Sequence, residues 1–161
     1  MRIAVFSDSH RDTAGMYLMI RRLSPDTVFH LGDLVSDGAL LREAFPDIPL
    51  YSVAGNNDSL SDAPQTVTLT LEGVKLILTH GHAFGVHTGP DRLQRFAAAQ
   101  GAQAALFGHT HAAFCEQRGG VWLLNPGRAG RGLFSFSAPT CALLTLERGS
   151  LDWECIEIEE N

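Results

Sequence analysis

Length, composition and charge exclude several classes of protein. The 161 residues suffice for one domain with a sizeable core, which we place at residues 1–161. The formal net charge of −6 disfavours electrostatic binding of nucleic acid, and no apolar run approaches the roughly 20 residues of a membrane-spanning helix. We therefore expect neither nucleic acid nor a membrane as a partner.

The cysteines indicate the compartment. Cys115, Cys141 and Cys155 are odd in number, far apart and outside any Cys-x-x-Cys motif, so a disulfide framework is not expected. The apolar run at residues 3–6 is too short for a secretory signal peptide. We therefore predict a cytoplasmic protein in which all three cysteines are buried as small apolar side chains.

The first half of the chain alternates buried strands with helices. Three apolar runs end in polar turns, and helical periodicity follows the first two. Asp12 or Thr13 is expected to cap the first helix, and Ser36 or Asp37 the second, with a supporting role at a functional site as the alternative for Asp37. His30 lies inside a strand, so we expect it in the core. The strands are predicted at residues 3–6, 27–31 and 50–54.

The second half has a different pattern. Residues 66–71 alternate strictly between apolar and polar side chains, and Glu72-Gly73 then forms a two-residue hairpin turn. A helix capped by Thr88 or Gly89 is expected to end at Gly101. In the last strand the apolar residues change phase after Cys155, which predicts a β-bulge. Further strands are predicted at residues 74–78, 104–107, 112–118, 121–124, 142–146 and 151–158.

Side chains suited to metal binding follow most of these strands. In Gly108-His109-Thr110-His111, two histidines separated by one residue leave the same face of an extended segment, and Gly108 permits a tight turn. Sites in α/β proteins lie at the carboxyl ends of strands, so we expect these side chains to meet. The full predicted ligand set is Asp8, His10, Asp33, Asn56, His80, His109 and His111.

The chemistry of this set favours two divalent ions. Aspartate, histidine and asparagine suit manganese, iron or zinc better than calcium or a cysteine-type structural zinc. Seven candidates are too many for one tetrahedral ion, but they suit two ions about 3.5–4 Å apart that share a carboxylate. Two such ions outweigh the charge of Asp8, Asp33 and a bridging hydroxide. The centre would therefore attract an anion such as a phosphoryl group, which the hydroxide could attack in line.

The order of these clusters resembles the five motifs of the calcineurin-like metallophosphoesterases. The short chain and Asn125-Pro126-Gly127 resemble the small bacterial and archaeal phosphodiesterase branch, to which the retromer subunit Vps29 is related. The likeness covers roughly residues 1–132. The five motifs are Asp8-x-His10, Gly32-Asp33, Gly55-Asn56-Asn57-Asp58, His80-Gly81-His82 and Gly108-His109-Thr110-His111.

The resemblance implies a fold and a distribution of the ligands. The expected fold class is α/β, a β-sandwich of two mixed sheets flanked by helices. The expected cofactors are two divalent ions, with Mn²⁺ favoured and Fe, Zn or Ni as alternatives, and Asp33 bridges them. One site would comprise Asp8, His10, Asp33 and His111, and the other Asp33, Asn56, His80 and His109.

The sequence departs from the family pattern at positions that the resemblance places near the substrate. Many members have His after the ligand Asn, placed to bind phosphate and protonate the leaving group, whereas this chain has Asn57. The Asn-Pro-Gly motif usually continues with Ser, but Arg128 follows here and Arg131 is near; each either grips a substrate phosphate or lies on the surface. His82 either contacts substrate, supports a ligand or serves in packing, and His87 is expected to be solvated.

These observations predict a metal-dependent phosphodiesterase acting on a small phosphate ester. We assign Asp33, Asn57 and His82 to catalysis, and Asn57, Arg128 and Arg131 to substrate binding. The alternative is a non-catalytic scaffold protein of the same fold. A nuclease is disfavoured because the acidic chain has no basic stripe. Residues 134–136, Phe-Ser-Phe, either join subunits in a homo-oligomer or belong to the core.

Overall fold

Two five-stranded sheets form the framework of the protein. The computed structural model describes residues 1–131 and 137–159. The first sheet has the strand order β10-β9-β1-β2-β3, and the second has the order β4-β5-β6-β8-β7. The strands are β1 Arg2–Phe6, β2 Thr27–His30, β3 Leu50–Ser52, β4 Thr66–Leu71, β5 Val74–Thr79, β6 Ala104–Leu106, β7 Ala113–Arg118, β8 Val121–Pro126, β9 Thr140–Glu147 and β10 Ser150–Glu157.

Three helices and two short 3₁₀ turns connect the strands. Helix α1 spans Ala14–Leu23, α2 spans Val35–Ala44 and α3 spans Asp91–Ala99, while the 3₁₀ turns lie at His82–Phe84 and Val86–Thr88. None of the described helices is long and apolar enough to cross a membrane.

Both sheets are mixed, with parallel strands at the centre. In the first sheet β1 pairs parallel with β2, and β2 with β3, while β9 runs antiparallel to β1 and to β10. In the second sheet β6 lies parallel to both β5 and β8, and β4 and β7 form the antiparallel edges. The carboxyl ends of the parallel strands within each sheet therefore point the same way. This confirms the alternation of strands and helices predicted for the first half of the chain.

The core explains why β1 reads as a continuous apolar run. Ile3 and Val5 point into the layer between the two sheets, where they join side chains such as Leu76 and Leu106. The alternate residues of β1 pack beneath α1 and α2 on the outer face of the first sheet. Helix α3 covers the outer face of the second sheet in the same way. The predicted β-sandwich flanked by helices is confirmed.

The helix caps differ from the predictions. Thr13 precedes α1, but its side chain makes no capping hydrogen bond. Helix α2 follows Leu34, and its first amide, that of Val35, donates to Asp58 Oδ1 at 2.9 Å from a separate loop. Helix α3 follows Pro90 rather than Thr88 or Gly89. At α2, a contact from a distant loop therefore replaces the local cap that the sequence suggests.

The predicted bulge in the last strand is wrong. Strand β10 pairs with β9 without interruption, from Ser150 opposite Glu147 to Glu157 opposite Thr140. Trp153 packs against the layer between the sheets, whereas Ile156 packs on the helix-covered face. The change of phase thus reflects a change in which face of a regular edge strand is covered.

Two of the three cysteine predictions also need correction. Cys141 is buried, but Cys115 and Cys155 are exposed, and all three are free. Cys115 lies on β7 and Cys155 on β10, both of which are edge strands. Edge strands have one side open to solvent, which local sequence does not reveal. Residues 134–136, the suggested subunit contact, lie outside the described residues.

His30 is a buried core residue, as predicted. Its Nε2 lies 3.2 Å from Ser9 Oγ, and the Ser9 hydroxyl donates its single proton to Asp37 Oδ2 at 2.7 Å. The His30 ring must therefore donate from Nε2, while its buried Nδ1 has no hydrogen-bond partner. Burial lowers the pKa of His30 from 6.5 to about 4, so the ring is neutral at physiological pH.

We expect this histidine to make stability depend on pH. The unfolded chain binds a proton at His30 near pH 6.5, but the folded chain does so only near pH 4, so acid favours unfolding in that window. At about 1.4 kcal/mol per pKa unit, the free energy of unfolding should fall by about 3 kcal/mol from this group. Urea titrations of metal-free protein across the window should show a smaller decrease for His30→Gln. Identical pH dependence in both proteins would contradict the assignment.

Candidate metal centre

The loops that follow five strands converge at one end of the sandwich. Asp8 and His10 follow β1, Asp33 follows β2, and Asn56 follows β3. The remaining predicted ligands come from the second sheet, after β5 and after β6. These are His80, His109 and His111.

Several of these loop residues adopt left-handed backbone conformations. Such φ values are uncommon for residues other than glycine, cost of order 1–3 kcal/mol each and concentrate at functional sites. Hydrogen bonds hold the loops: Asp8 Oδ2 accepts from Ser7 Oγ at 2.7 Å and from the His109 amide at 2.9 Å. The φ angles are 53° at Asp8, 48° at His10, 87° at Asp33, 67° at His109 and 59° at His111.

Gly108 is required for a reason other than the predicted tight turn. Its φ is not positive, but a Cβ at this position would lie 1.8 Å from Ser7 Oγ and 2.8 Å from Asp8 Oδ2. Gly55 approaches another loop equally closely, since its Cβ would lie 2.3 Å from the Asp33 amide nitrogen. The absence of side chains thus lets the loops from different strands touch.

Two groups of side chains could hold a metal ion. Asp8, His10 and His111 form the first, and Asp8, Asp33 and His80 form the second, with one ligand atom of each residue within 4.8 Å of the others. Asp33 also adjoins the first group, because its Oδ2 is 2.8 Å from His10 Nδ1. His111 Nε2 lies 3.3 Å from Asp8 Oδ1 and 3.2 Å from His10 Nε2.

The carboxylates show that these residues fit a cation. Asp8 Oδ1 and Asp33 Oδ2 are buried and accept no hydrogen bond in the described structure. Buried carboxylate oxygens without donors are costly, and a bound cation would satisfy them. Burial by itself would raise the pKa of Asp8, but the contact with His111, the electrostatic interaction with His80 and the hydrogen bond from Ser7 outweigh it, so the pKa is lowered and the carboxylate stays ionised.

His80 supplies a second indication of a cation. Its Nδ1 lies 2.9 Å from the Leu31 carbonyl oxygen, which can only accept, so this nitrogen carries a proton. In the neutral ring, Nε2 then presents a lone pair. That atom faces Asn56 Oδ1 at 3.0 Å, Asp8 Oδ1 at 3.8 Å and Asp33 Oδ1 at 3.9 Å. A metal ion is the natural partner for a lone pair among oxygens, with the backbone contact fixing the ring.

His109 and His82 lie beside the two groups. The His109 ring is 5.0 Å from that of His80, although His109 belongs to neither group of ligand atoms. The His82 ring lies 5.6 Å from that of His80, and its buried Nδ1 has no hydrogen-bond partner. Burial lowers the pKa of both His82 and His109, with the charge of His80 adding to the effect.

His87 is exposed as predicted, but it is not remote from the site. Its ring lies 4.4 Å from that of His109. The sequence gives no indication of this contact, because His87 sits in a short 3₁₀ turn after β5 whose path is set by tertiary packing. His111 differs from its neighbours, since the contact of its Nε2 with the Asp8 carboxylate raises its pKa.

The predicted substrate-binding residues have distinct surroundings. Asn57 Nδ2 donates to Asp33 Oδ1 at 2.6 Å, which places it against the centre. Arg128 is not the surface residue that one alternative expected: it is buried, and its guanidinium donates to the carbonyl oxygens of Gly130, at 2.9 Å, and of Ser137. The Arg131 amide donates to Asp12 Oδ2 at 2.9 Å, and its side chain is exposed.

Two buried polar residues, Asp37 and Asn125, form hydrogen bonds to the loops that carry candidate ligands. Asp37, expected to cap α2, is instead buried and accepts from Ser9 Oγ at 2.7 Å and from the Arg11 amide at 2.8 Å, on both sides of His10. Asn125 Nδ2 donates to the Gly108 carbonyl at 3.0 Å and to Thr110 Oγ1 at 3.1 Å. The supporting role considered for Asp37 is therefore the one that the structure shows.

The profile of the calcineurin-like phosphoesterase superfamily domain matches residues 1–149. The chain belongs to this superfamily. It is 30% identical to the probable metallophosphoesterase YsnB of Bacillus subtilis over 130 residues, which cover 79% of this chain and 74% of that protein. It is 39% identical to the phosphodiesterase YfcE of Escherichia coli over 87 residues, which cover 48% of this chain and 43% of that protein.

Solved structures of superfamily members share the fold. A predicted phosphoesterase from Streptococcus pneumoniae superposes with a TM-score of 0.80 at 28% identity, covering 97% of this chain and 88% of that one. Vps29 of Entamoeba histolytica, in a structure described as a complex with zinc, gives a TM-score of 0.75 at 22% identity, covering 99% of this chain and all of that one. The second likeness shows the fold alone.

We expect Asp37 to be needed for tight metal binding. Asp37→Ala removes the acceptor that fixes Ser9 and Arg11, so His10 loses its orientation, and metal affinity should fall about 10- to 100-fold. Calorimetric titration with Mn²⁺ measures this change. Glu43→Ala, on the exposed face of the same helix, is the matched control and should bind as the parent does. Parental affinity in a folded Asp37→Ala protein would contradict the role.

Proposed function

We propose that the protein is a dinuclear metal-dependent phosphodiesterase that hydrolyses a small phosphate ester. The observation that supports this most is the pair of buried carboxylates with unpaired oxygens, Asp8 and Asp33, among histidine nitrogens. When bound, two divalent ions would lower the pKa of water so that hydroxide is available near neutral pH, and would hold the phosphoryl oxygens.

The distances support Asp33 as the residue shared by both ions. Its Oδ2 faces His10 at 2.8 Å, and its Oδ1 faces His80 at 3.9 Å, so it offers an oxygen toward each group. Asp8 is common to both groups of ligand atoms, but it can reach them only through Oδ1, because its Oδ2 already accepts two hydrogen bonds. Asp8, His10 and His111 would complete one site. Asn56, His80 and His109 would complete the other.

Charge favours an anionic substrate despite the acidic chain. The ligands other than Asp8 and Asp33 are neutral amide or imidazole groups, so two divalent ions would leave an excess of positive charge at the centre. Asn57 lies within hydrogen-bond reach of Asp33 and can donate to a phosphoryl oxygen. We assign phosphate contact to Asn57, and a supplementary attraction to the exposed Arg131.

The alternative is a non-catalytic scaffold. The fold shared with Vps29 makes this the second candidate, because the family resemblance implies that this fold can also serve as a scaffold. The complete set of predicted ligands favours hydrolysis, since a scaffold gains nothing from buried, strained and unpaired carboxylates. The names metallophosphoesterase and phosphodiesterase carried by YsnB and YfcE support the same choice. A cytoplasmic location and manganese as the native metal remain part of this proposal.

Metal removal should abolish turnover, and Mn²⁺ should restore it. Asp33→Asn should lower both metal content and rate more than Asp8→Asn, because the shared carboxylate supports two ions rather than one. Asp62→Asn, at an exposed loop position, is the matched control. Metal analysis and hydrolysis of bis(p-nitrophenyl) phosphate provide the measurements. Full activity in verified metal-free protein would exclude the mechanism.

Asn57 should make the rate sensitive to the leaving group. Negative charge develops on the departing oxygen, and a positioned acid typically contributes about 10²–10⁴-fold there. An amide donates a hydrogen bond but does not usefully transfer a proton, so aryl esters should react much faster than alkyl esters. Asn57→His should reduce the dependence on leaving-group pKa, and Ser59→His, at an exposed position in the same loop, should not. If the rate of the parent protein depends only weakly on leaving-group pKa, another group must protonate the leaving oxygen.

A further inference from the structure

An apolar pocket opens beside the metal centre, and nothing in the proposed hydrolysis uses it. Its volume is about 350 Å³, at the lower end of the range of roughly 300–1,000 Å³ seen for small-molecule sites. Val86, Pro90, Phe107 and Phe114 form most of its apolar surface. Val86 and Phe107 are almost fully buried, and the pocket therefore has a floor that belongs to the core beneath α3.

The pocket adjoins the loop that carries two of the candidate ligands, His109 and His111. His87 lines it, and the His87 ring lies 4.4 Å from that of His109. Thr110 also lines it, and Thr110 stands between the two histidines of the Gly108–His111 loop. Asn125 holds Thr110 in place through the 3.1 Å hydrogen bond to its hydroxyl. A phosphoryl group at the centre would thus have one ester substituent at the mouth of the pocket.

The lining chemistry limits what the pocket can accept. No aspartate, glutamate, lysine or arginine is among its described lining residues. A second phosphate or another charged group would find only the His87 ring and the hydroxyls of Thr88 and Thr110 as partners, so most of its desolvation would be uncompensated. An apolar group of the size of an aromatic ring fits the volume and can contact the phenylalanine rings, whose centroids are 6.0 Å apart.

We propose that this pocket binds an apolar, aromatic-sized substituent carried on one ester oxygen of the substrate. The inference rests on the proposed phosphoesterase function and specifies its substrate class: a phosphate ester with a single phosphoryl group and a compact apolar substituent. His87 and Thr110 are the residues at which the pocket meets the centre. Selectivity among esters would then arise from the pocket walls, while the ions and their ligands act on any phosphoryl group.

Non-hydrolysable phosphonates test this assignment without requiring turnover. Methylphosphonate and phenylphosphonate carry similar charge and differ in the group that would enter the pocket. Calorimetry on the Mn²⁺-loaded parent protein should give a dissociation constant about tenfold lower for phenylphosphonate, since burial of an aromatic ring is favourable by at least such a factor. Equal affinities, or no measurable binding of either compound, would overturn the proposal.

A variant that fills the pocket tests whether the preference for phenylphosphonate arises there. Ala113→Phe places a ring within the lining, so the preference for phenylphosphonate should disappear while methylphosphonate binds as before. Gln117→Phe adds the same side chain at an exposed position of the same strand, outside this pocket, and should keep the preference. An unchanged preference in Ala113→Phe would contradict the assignment. If the protein hydrolyses phosphate esters but does not prefer phenylphosphonate, only the pocket assignment is wrong. If it prefers phenylphosphonate but does not hydrolyse esters, only the proposed catalytic function is wrong.

Discussion

The burial of two aspartates at one end of the sandwich is the constraint on which the rest of this structure depends. Asp8 and Asp33 are almost fully buried, and each has an oxygen without a hydrogen-bond donor. Such an arrangement is unfavourable by itself, because desolvated carboxylates need opposite charge. The packing of the sandwich must therefore stabilise the folded chain enough to keep both carboxylates buried. Binding of a cation to the folded state should offset part of this cost, because it shifts the folding equilibrium toward folded protein.

The framework holds this centre through backbone contact more than through side-chain packing. The loops from the two sheets approach so closely that Gly108 and Gly55 have no room for a Cβ. Asp37 and Asn125 then fix the loops that carry His10, His109 and His111. Functional sites commonly depart from local backbone preferences, and compensation comes from such surrounding contacts. Precision at the centre therefore originates in residues that are not themselves candidate ligands.

The strands and the candidate ligands could be predicted from the sequence because their signals are local. Apolar runs mark β1 and β2, and Asp8, Asp33 and His80 lie directly after strands whose ends must meet. Burial of Arg128, exposure of Cys115 and Cys155, and the nearness of His87 to His109 could not be predicted, since each depends on segments distant in the chain. Asp37 shows the same limit: its partners Ser9 and Arg11 lie on another loop.

The position of β1 between β2 and β9 has a consequence for how the protein acquires its fold during synthesis. Arg2 pairs with Thr145, so the first strand lacks one of its two neighbours until β9, more than 130 residues later in the chain, has left the ribosome. Joining segments so far apart carries a large loop-closure entropy and slows folding relative to locally connected topologies. The nascent chain therefore exposes an unpaired apolar strand edge until β9 is made, a state in which chaperone protection against aggregation matters.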